Sequence, residues 1–255
     1  MIRAVLFDVG GTLHEVHHSP ELETSFCQRL LDLLSDHGIA LPVTAGELAP
    51  RLHENAEGYK HWSEETRLEL PSAKIWSEYY LKKFQLSEEL LAPVSEELSW
   101  MYDAVRVQNV PRPNMQETIR TLHREGLKTG IISNIISTTF VPRLLEDYGI
   151  ADLMSCVILS STAGVRKPDA AIFEKAAAEC GVPCGEMAYV GDTLSRDVLG
   201  CRNAGVALSI QIQNPDMAFR DAAFVNTGLA PDVRISDLAE IPDIVRAYNA
   251  RASAL

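Results

Sequence analysis

Ala4-Val5-Leu6-Phe7-Asp8-Val9-Gly10-Gly11-Thr12-Leu13 opens the chain with four apolar residues, an acid and then a glycine pair. A short apolar run halted by a turn signal reads as a strand buried on both faces, as in a parallel sheet. From residue 115 onward the same kind of unit recurs. A helical pattern over 115–125 stops at Gly126 and is followed by a strand over 128–132. Then come a helix over 140–148, a strand over 157–159, a helix over 170–180, a strand over 187–190, a helix over 196–203 and a strand over 206–212. Alternating short strands and helices predict an α/β fold with a parallel sheet covered on both sides.

Between these two parts the pattern changes. Ser19-Pro20-Glu21 supplies an N-cap, a proline at the first helical position and an early acid. Leu22, Phe26, Leu30 and Leu34 recur at helical spacing, and Gly38 is placed to end that helix. Thr44-Ala45-Gly46-Glu47 has the form of a capping box. Ser72 and Ser95 are placed to open two further helices, the first bearing Trp76, Tyr79, Tyr80 and Phe84. The stretch is therefore expected to be an all-α insert. Gln108-Asn109-Val110-Pro111-Arg112-Pro113-Asn114 reads as the linker back, because its prolines deny helix.

The net charge of −12 argues against nucleic acid or an anionic membrane as the main partner. Residues 14–110 hold 17 acidic and 8 basic side chains, against 18 and 15 elsewhere, so the excess acid sits on the insert. Solvated helix faces explain that excess; selection against polyanionic substrates is the sharper reading. No apolar stretch reaches the ~18 residues a membrane span needs. The first apolar run ends too soon for a signal peptide. The five cysteines are scattered, and Cys180 and Cys184 have no second pair beside them, so inert thiols in a reducing compartment are expected. A cytoplasmic location follows as the expectation.

Ligands of open α/β sheets bind beyond the carboxyl ends of the strands. Asp8, Ser133-Asn134 and Gly191-Asp192 fall at such ends, and Lys167 precedes a helix in Gly164-Val165-Arg166-Lys167-Pro168-Asp169. Each residue alone is ordinary loop or cap chemistry. Together they suit phosphoryl transfer. A carboxylate can attack phosphorus to form an aspartyl-phosphate, splitting a hard hydrolysis into two easier steps. A cation must then lie between carboxylate and phosphate, and Mg2+ suits that task, with Asp8 and Asp192 as its carboxylates. Ser133, a backbone amide and Lys167 are placed to hold phosphoryl oxygens, and Gly10-Gly11 let the backbone approach the phosphate.

Phe7-Asp8-Val9-Gly10-Gly11-Thr12-Leu13, Ile131-Ile132-Ser133-Asn134, Arg166-Lys167-Pro168-Asp169 and Val190-Gly191-Asp192-Thr193-Leu194-Ser195-Arg196-Asp197 resemble the four ordered motifs of the haloacid dehalogenase superfamily. Ile172-Phe173 and Asn203-Ala204-Gly205 are similar to its phosphoglycolate-phosphatase and dehalogenase branch. The resemblance implies a Rossmann-like core over residues 1–14 and 109–255, with a helical cap over 15–108. It implies Asp8 as nucleophile, Ser133 and Lys167 as its catalytic partners, and Ser133, Asn134, Lys167 and Gly11 around the phosphate. For the metal it implies Asp8, the Gly10 carbonyl and Asp192, with Asp197 in support. A small phosphorylated metabolite is the expected substrate, and a monomer or dimer the expected assembly.

One position departs from the pattern. Phosphatases of the family usually carry a second Asp two residues after the nucleophile, which protonates the leaving oxygen and then activates water. Here that position is Gly10. Three readings stay open at this point. The protein is a phosphohydrolase whose proton work falls to substrate, water or a residue such as His14, His17 or His18. Alternatively it is a phosphonate hydrolase using a cap lysine (Lys60, Lys74, Lys82 or Lys83), or a haloacid dehalogenase. In the third reading it binds phosphate ligands or a protein without efficient turnover. Tyr59, His61, Trp62 and the Trp76/Tyr79/Tyr80 group are the chemically richest insert positions, though aromatics at helical spacing are more often core.

Overall fold

A computed structural model describes residues 1–224 and 227–253. Its strands are β1 (Ala4–Phe7), β2 (His14–His18), β3 (Val107–Pro111), β4 (Lys128–Ser133), β5 (Met154–Leu159), β6 (Met187–Gly191), β7 (Leu208–Ile212) and β8 (Val233–Ile235). Six of them form one parallel sheet in the order β5-β4-β1-β6-β7-β8. All four residues of β1 are fully buried, as the opening stretch predicts. Val5 and Phe7 face one apolar cluster with Ile119, Ile131 and Val190. Ala4 and Leu6 face the other, with Ile132, Phe173 and Tyr189. A strand that fills two cores cannot shift register by one residue without exchanging every contact. That pins Asp8, the next residue, at the carboxyl edge.

The helical pattern of the insert is observed. Ser19 accepts the Leu22 N–H at 3.2 Å and opens helix Pro20–Asp36. The Thr44–Glu47 capping box opens Ala45–Thr66. The stretch from Ser72 onward is broken: an α-turn Ser72–Ile75, a π-helical turn Trp76–Tyr80 and a 3-10 turn Lys82–Phe84. Ser95–Ala104 completes the insert. These helices surround their own core of Phe26, Leu30, Leu48, Leu52, Trp76 and Leu98, among others.

Two sequence expectations change. The segment expected to be a linker contains β3, which pairs antiparallel with β2 so that His14 faces Pro111 and His18 faces Val107. Pro111 terminates that ribbon, where its missing N–H breaks no ladder. The chain thus leaves the sheet and returns to it through a two-stranded stem. The cysteine expectation is corrected too, since Cys156 on β5 and Cys180 are disulfide-bonded. Sequence spacing could not show it, because β5 and the end of helix Ala170–Cys180 meet only in the folded sheet.

The insert is tied to the turn after β4 by a half-buried carboxylate. Glu96 Oε1 accepts the Thr138 and Thr139 N–H groups at 2.9 and 3.0 Å and the Ser137 hydroxyl at 2.7 Å. It thereby holds the turn that leads into helix Phe140–Asp147. Replacing Glu96 by Ala strands those donors, with an expected loss of about 1–3 kcal/mol. Urea titration measures it, and Glu96→Gln, which keeps one acceptor oxygen, should lose less.

Candidate active site

Asp8, Ser133, Lys167, Asp192 and Asp197 are all buried at the carboxyl edge of the sheet. Lys167 Nζ is the hub. It contacts Asp8 Oδ1 at 2.9 Å, Asp197 Oδ1 at 2.8 Å and Tyr189 Oη at 2.7 Å. Asp197 Oδ2 accepts the Thr193 N–H and hydroxyl at 3.0 and 2.6 Å. A π-helical turn, Leu194–Val198, bends Asp197 back onto that loop. Gly191 makes room for it: a Cβ there would lie 2.3 Å from Asp197 Cγ.

One oxygen each of Asp8, Asp192 and Asp197 lies within 4.8 Å of the others. Burial pushes the Asp8 carboxyl above its ordinary range, against the pull of Lys167. Burial also raises Asp192, to about 7, with Arg196 opposing and the charges of Asp197 and Asp8 adding to the rise. Asp197 is held below its ordinary value despite burial, because Lys167 and Arg196 stand beside it. Burial alone would lower Lys167, but Asp197 and Asp8 outweigh it and raise it. Asp192 Oδ2 accepts from Asn214 Nδ2 at 2.7 Å, whereas its Oδ1 is buried with no hydrogen-bond partner among the described residues. A carboxylate oxygen buried beside two other acids, with the Arg196 guanidinium no nearer than 3.9 Å, is costly unless a closer cation meets it. The donor set therefore fits a hard divalent ion.

The sequence-selected residues take up unequal tasks. Ser133 ends β4, and its hydroxyl makes no hydrogen bond among the described residues. Asn134 turns its side chain onto the Lys167 backbone, donating to O at 3.0 Å and accepting from N at 2.9 Å. What it can offer a phosphate is its backbone N–H. Gly11 spends its N–H on His14 O at 2.8 Å, so that amide is not free for phosphate. Its function is spatial: φ is +82°, and a Cβ would lie 2.1 Å from Asp192 Oδ2. His14 is buried with Nδ1 3.2 Å from Tyr148 Oη. Burial, then Arg112, lowers it to about 4, so it holds no spare proton at neutral pH.

Tyr59, Trp76 and Tyr80 are buried in the insert core. His61 and Lys60 line a cavity of about 490 Å3 whose floor holds Lys167 and Arg196. Lys60 is ion-paired with Glu57 at 2.9 Å. Sequence reading missed Tyr189 and Asn214. Tyr189 lies inside an apolar strand, and only its neighbour Lys167 reveals its place. Asn214 lies two residues beyond β7, where the strand-end rule applied to that strand would have found it.

A parallel sheet with buried acids and a lysine at its carboxyl edge defines an α/β enzyme with a Rossmann-like core. The chain belongs to the haloacid dehalogenase-like hydrolases, whose family model matches residues 2–205. It is 26% identical over 246 residues to a glyceraldehyde 3-phosphate phosphatase of Methanopyrus kandleri, covering 96% of this chain and 98% of that one. With a phosphoglycolate phosphatase of Pseudomonas fluorescens it shares 30% identity over 207 residues, 80% of this chain and 67% of that one. A 2-haloacid dehalogenase structure from Pseudomonas syringae pv. Tomato DC3000 superposes with a TM-score of 0.67, over 97% of this chain and 100% of that chain. At 19% identity, that likeness is one of fold. No helix among the described residues is long and apolar enough to cross a membrane.

Proposed function

We propose that the protein is a Mg2+-dependent phosphohydrolase acting on a small phosphorylated metabolite, with residues 1–14 and 109–255 as catalytic core and 15–108 as cap. The observation that carries this reading is the Asp8/Asp192/Asp197 cluster around Lys167, with Asp192 Oδ1 buried and without a hydrogen-bond partner among the described residues. The substrates named for its relatives support the choice of a phosphate ester. Asp8, Asp192 and the Gly10 carbonyl, which accepts no backbone hydrogen bond among the described residues, would hold the ion. When bound, Mg2+ would offset the repulsion between phosphate and these carboxylates.

An Asp8 oxygen attacks phosphorus, and the bond to the ester oxygen breaks as the aspartyl-phosphate forms. Lys167, fixed by Asp197 and Tyr189, offsets charge on the transferring group, and the Ser133 hydroxyl is available to a phosphoryl oxygen. Water then attacks the aspartyl-phosphate and releases inorganic phosphate and Asp8. Gly10 supplies no proton to the departing oxygen, so esters with good leaving groups turn over fastest.

The expected result is hydrolysis of p-nitrophenyl phosphate that stops with EDTA, returns with Mg2+ and is absent in Asp8→Asn. Phosphate release by Asp8→Asn equal to that of the unmodified protein sinks the reading.

A further inference from the structure

The cavity above Lys167 lies between the insert helix Ala45–Thr66 and the segment 215–224. Although the chain and its insert are strongly acidic, this cavity is lined by cations. Its two lining acids are each already paired: Glu57 with Lys60 at 2.9 Å, and Glu64 with Arg220 at 2.6 Å. Lys167 is committed to Asp8, Asp197 and Tyr189. Two guanidinium groups are under-used. Among the described residues Arg196 makes one hydrogen bond, from Nε to Thr193 Oγ1 at 3.3 Å. Its Nη2 stands 3.9 Å from Asp192 Oδ1, too far to donate. Arg220 gives Nη1 to Glu64, while its Nε is buried without a hydrogen-bond partner among the described residues. Their side chains are only 20% and 14% exposed.

Both groups already face carboxylates, Arg196 those of Asp192, Asp197 and Asp8 and Arg220 that of Glu64, yet each keeps N–H donors that no acceptor among the described residues takes up, and an anion in the cavity would meet them. Burial, then the neighbouring charge of Arg196, pulls Arg220 below the ordinary arginine range. The phosphoryl group itself is already provided for at Asp8, Ser133 and Lys167. A further anion-binding capacity therefore points to another part of the same substrate. A cavity of about 490 Å3 is within the range that holds a small metabolite.

We propose that Arg196 and Arg220 bind a second anionic group, a carboxylate or a second phosphate, so that the substrate is a phosphorylated acid or bisphosphate rather than a neutral phosphorylated aldehyde or alcohol. The inference rests on the phosphohydrolase reading and deepens it.

Calorimetric binding to Asp8→Asn, which does not consume ligand, tests it with 2-phosphoglycolate and ethyl phosphate, equal in chain length and differing in the carboxylate. The bisphosphate of ethylene glycol tests the second-phosphate source. At least one of the two doubly anionic ligands is expected to bind tenfold or more tightly than ethyl phosphate. That preference should shrink to within threefold in Arg220→Met and in Arg196→Met, and survive in part in Arg220→Lys. Melting temperature checks that each variant is folded, and Arg220→Gln replaces Arg220→Met if the latter is not. Equal affinity for all three ligands, or a preference that persists in both arginine variants, overturns the proposal while the phosphohydrolase reading stands. Binding of none of them also overturns the proposal, and the phosphohydrolase reading then stands or falls on the p-nitrophenyl phosphate assay.

Discussion

Replacing Gly10 by Asp is expected to raise kcat toward alkyl phosphates by about 10²–10⁴, the range a positioned acid or base contributes. The backbone permits it. Gly10 is absent from the left-handed glycines of the chain. A Cβ at this position would meet Val16 Cγ2 at 3.7 Å and His14 Nε2 at 3.9 Å, both ordinary contacts. His14, the titratable side chain that such a Cβ would approach, is held neutral at pH 7 by burial and Arg112. Aryl phosphates, whose leaving groups need no proton, should gain much less, and Asp8→Asn/Gly10→Asp should remain inactive. Steady-state kinetics on paired alkyl and aryl esters measure the contrast. An alkyl-phosphate gain below threefold would mean that proton transfer does not limit the reaction.

The adjacent glycine shows how differently two neighbours can be constrained. Gly11 has a positive φ and Asp192 at its face, so no side chain fits there. From sequence the two glycines look alike, and only the approach of a residue 181 positions away separates them. The parallel sheet was legible because β1 is apolar throughout and stops at a charge. The edge positions of Asp8, Ser133 and Asp192 followed from that rule. What could not be read were long-range contacts made by side chains with ordinary local roles. Tyr189 looks like a strand aromatic and Asn134 like a loop amide. Each acquires its role when strands separated in sequence become neighbours. The stem β2–β3 was hidden for the same reason: its prolines suggest a linker until the opposite strand is in place.

Glu69 gives the other large expected effect, and on stability rather than chemistry. It lies in the insert, just after helix Ala45–Thr66, with its side chain fully buried. Its carboxylate receives the Tyr59 hydroxyl, the Ser160 hydroxyl at 2.5 Å and the Arg166 guanidinium. The backbone follows the side chain, since Glu69 N–H donates to Gly164 O at 3.1 Å and Arg166 N–H to Arg67 O at 2.9 Å. The insert is thus fastened to the loop that presents Lys167. Glu69→Leu removes one member of a buried ion pair and leaves Arg166, only 11% exposed, without its counter-charge. Such losses run to about 3–5 kcal/mol. For a chain of this size that corresponds to a fall of roughly 6–20 °C in Tm. Glu69→Leu/Arg166→Met should recover much of the loss, because the larger share is the penalty of an unpaired charge rather than the net worth of the pair. Urea midpoints for the single and double variants decide this. A Glu69→Leu protein within about 1 kcal/mol of the original would mean that water reaches Arg166 and screens it. The single variant should also lose turnover at temperatures where it is still folded, because Arg166 precedes Lys167 and Lys167 is the hub of the carboxylate cluster.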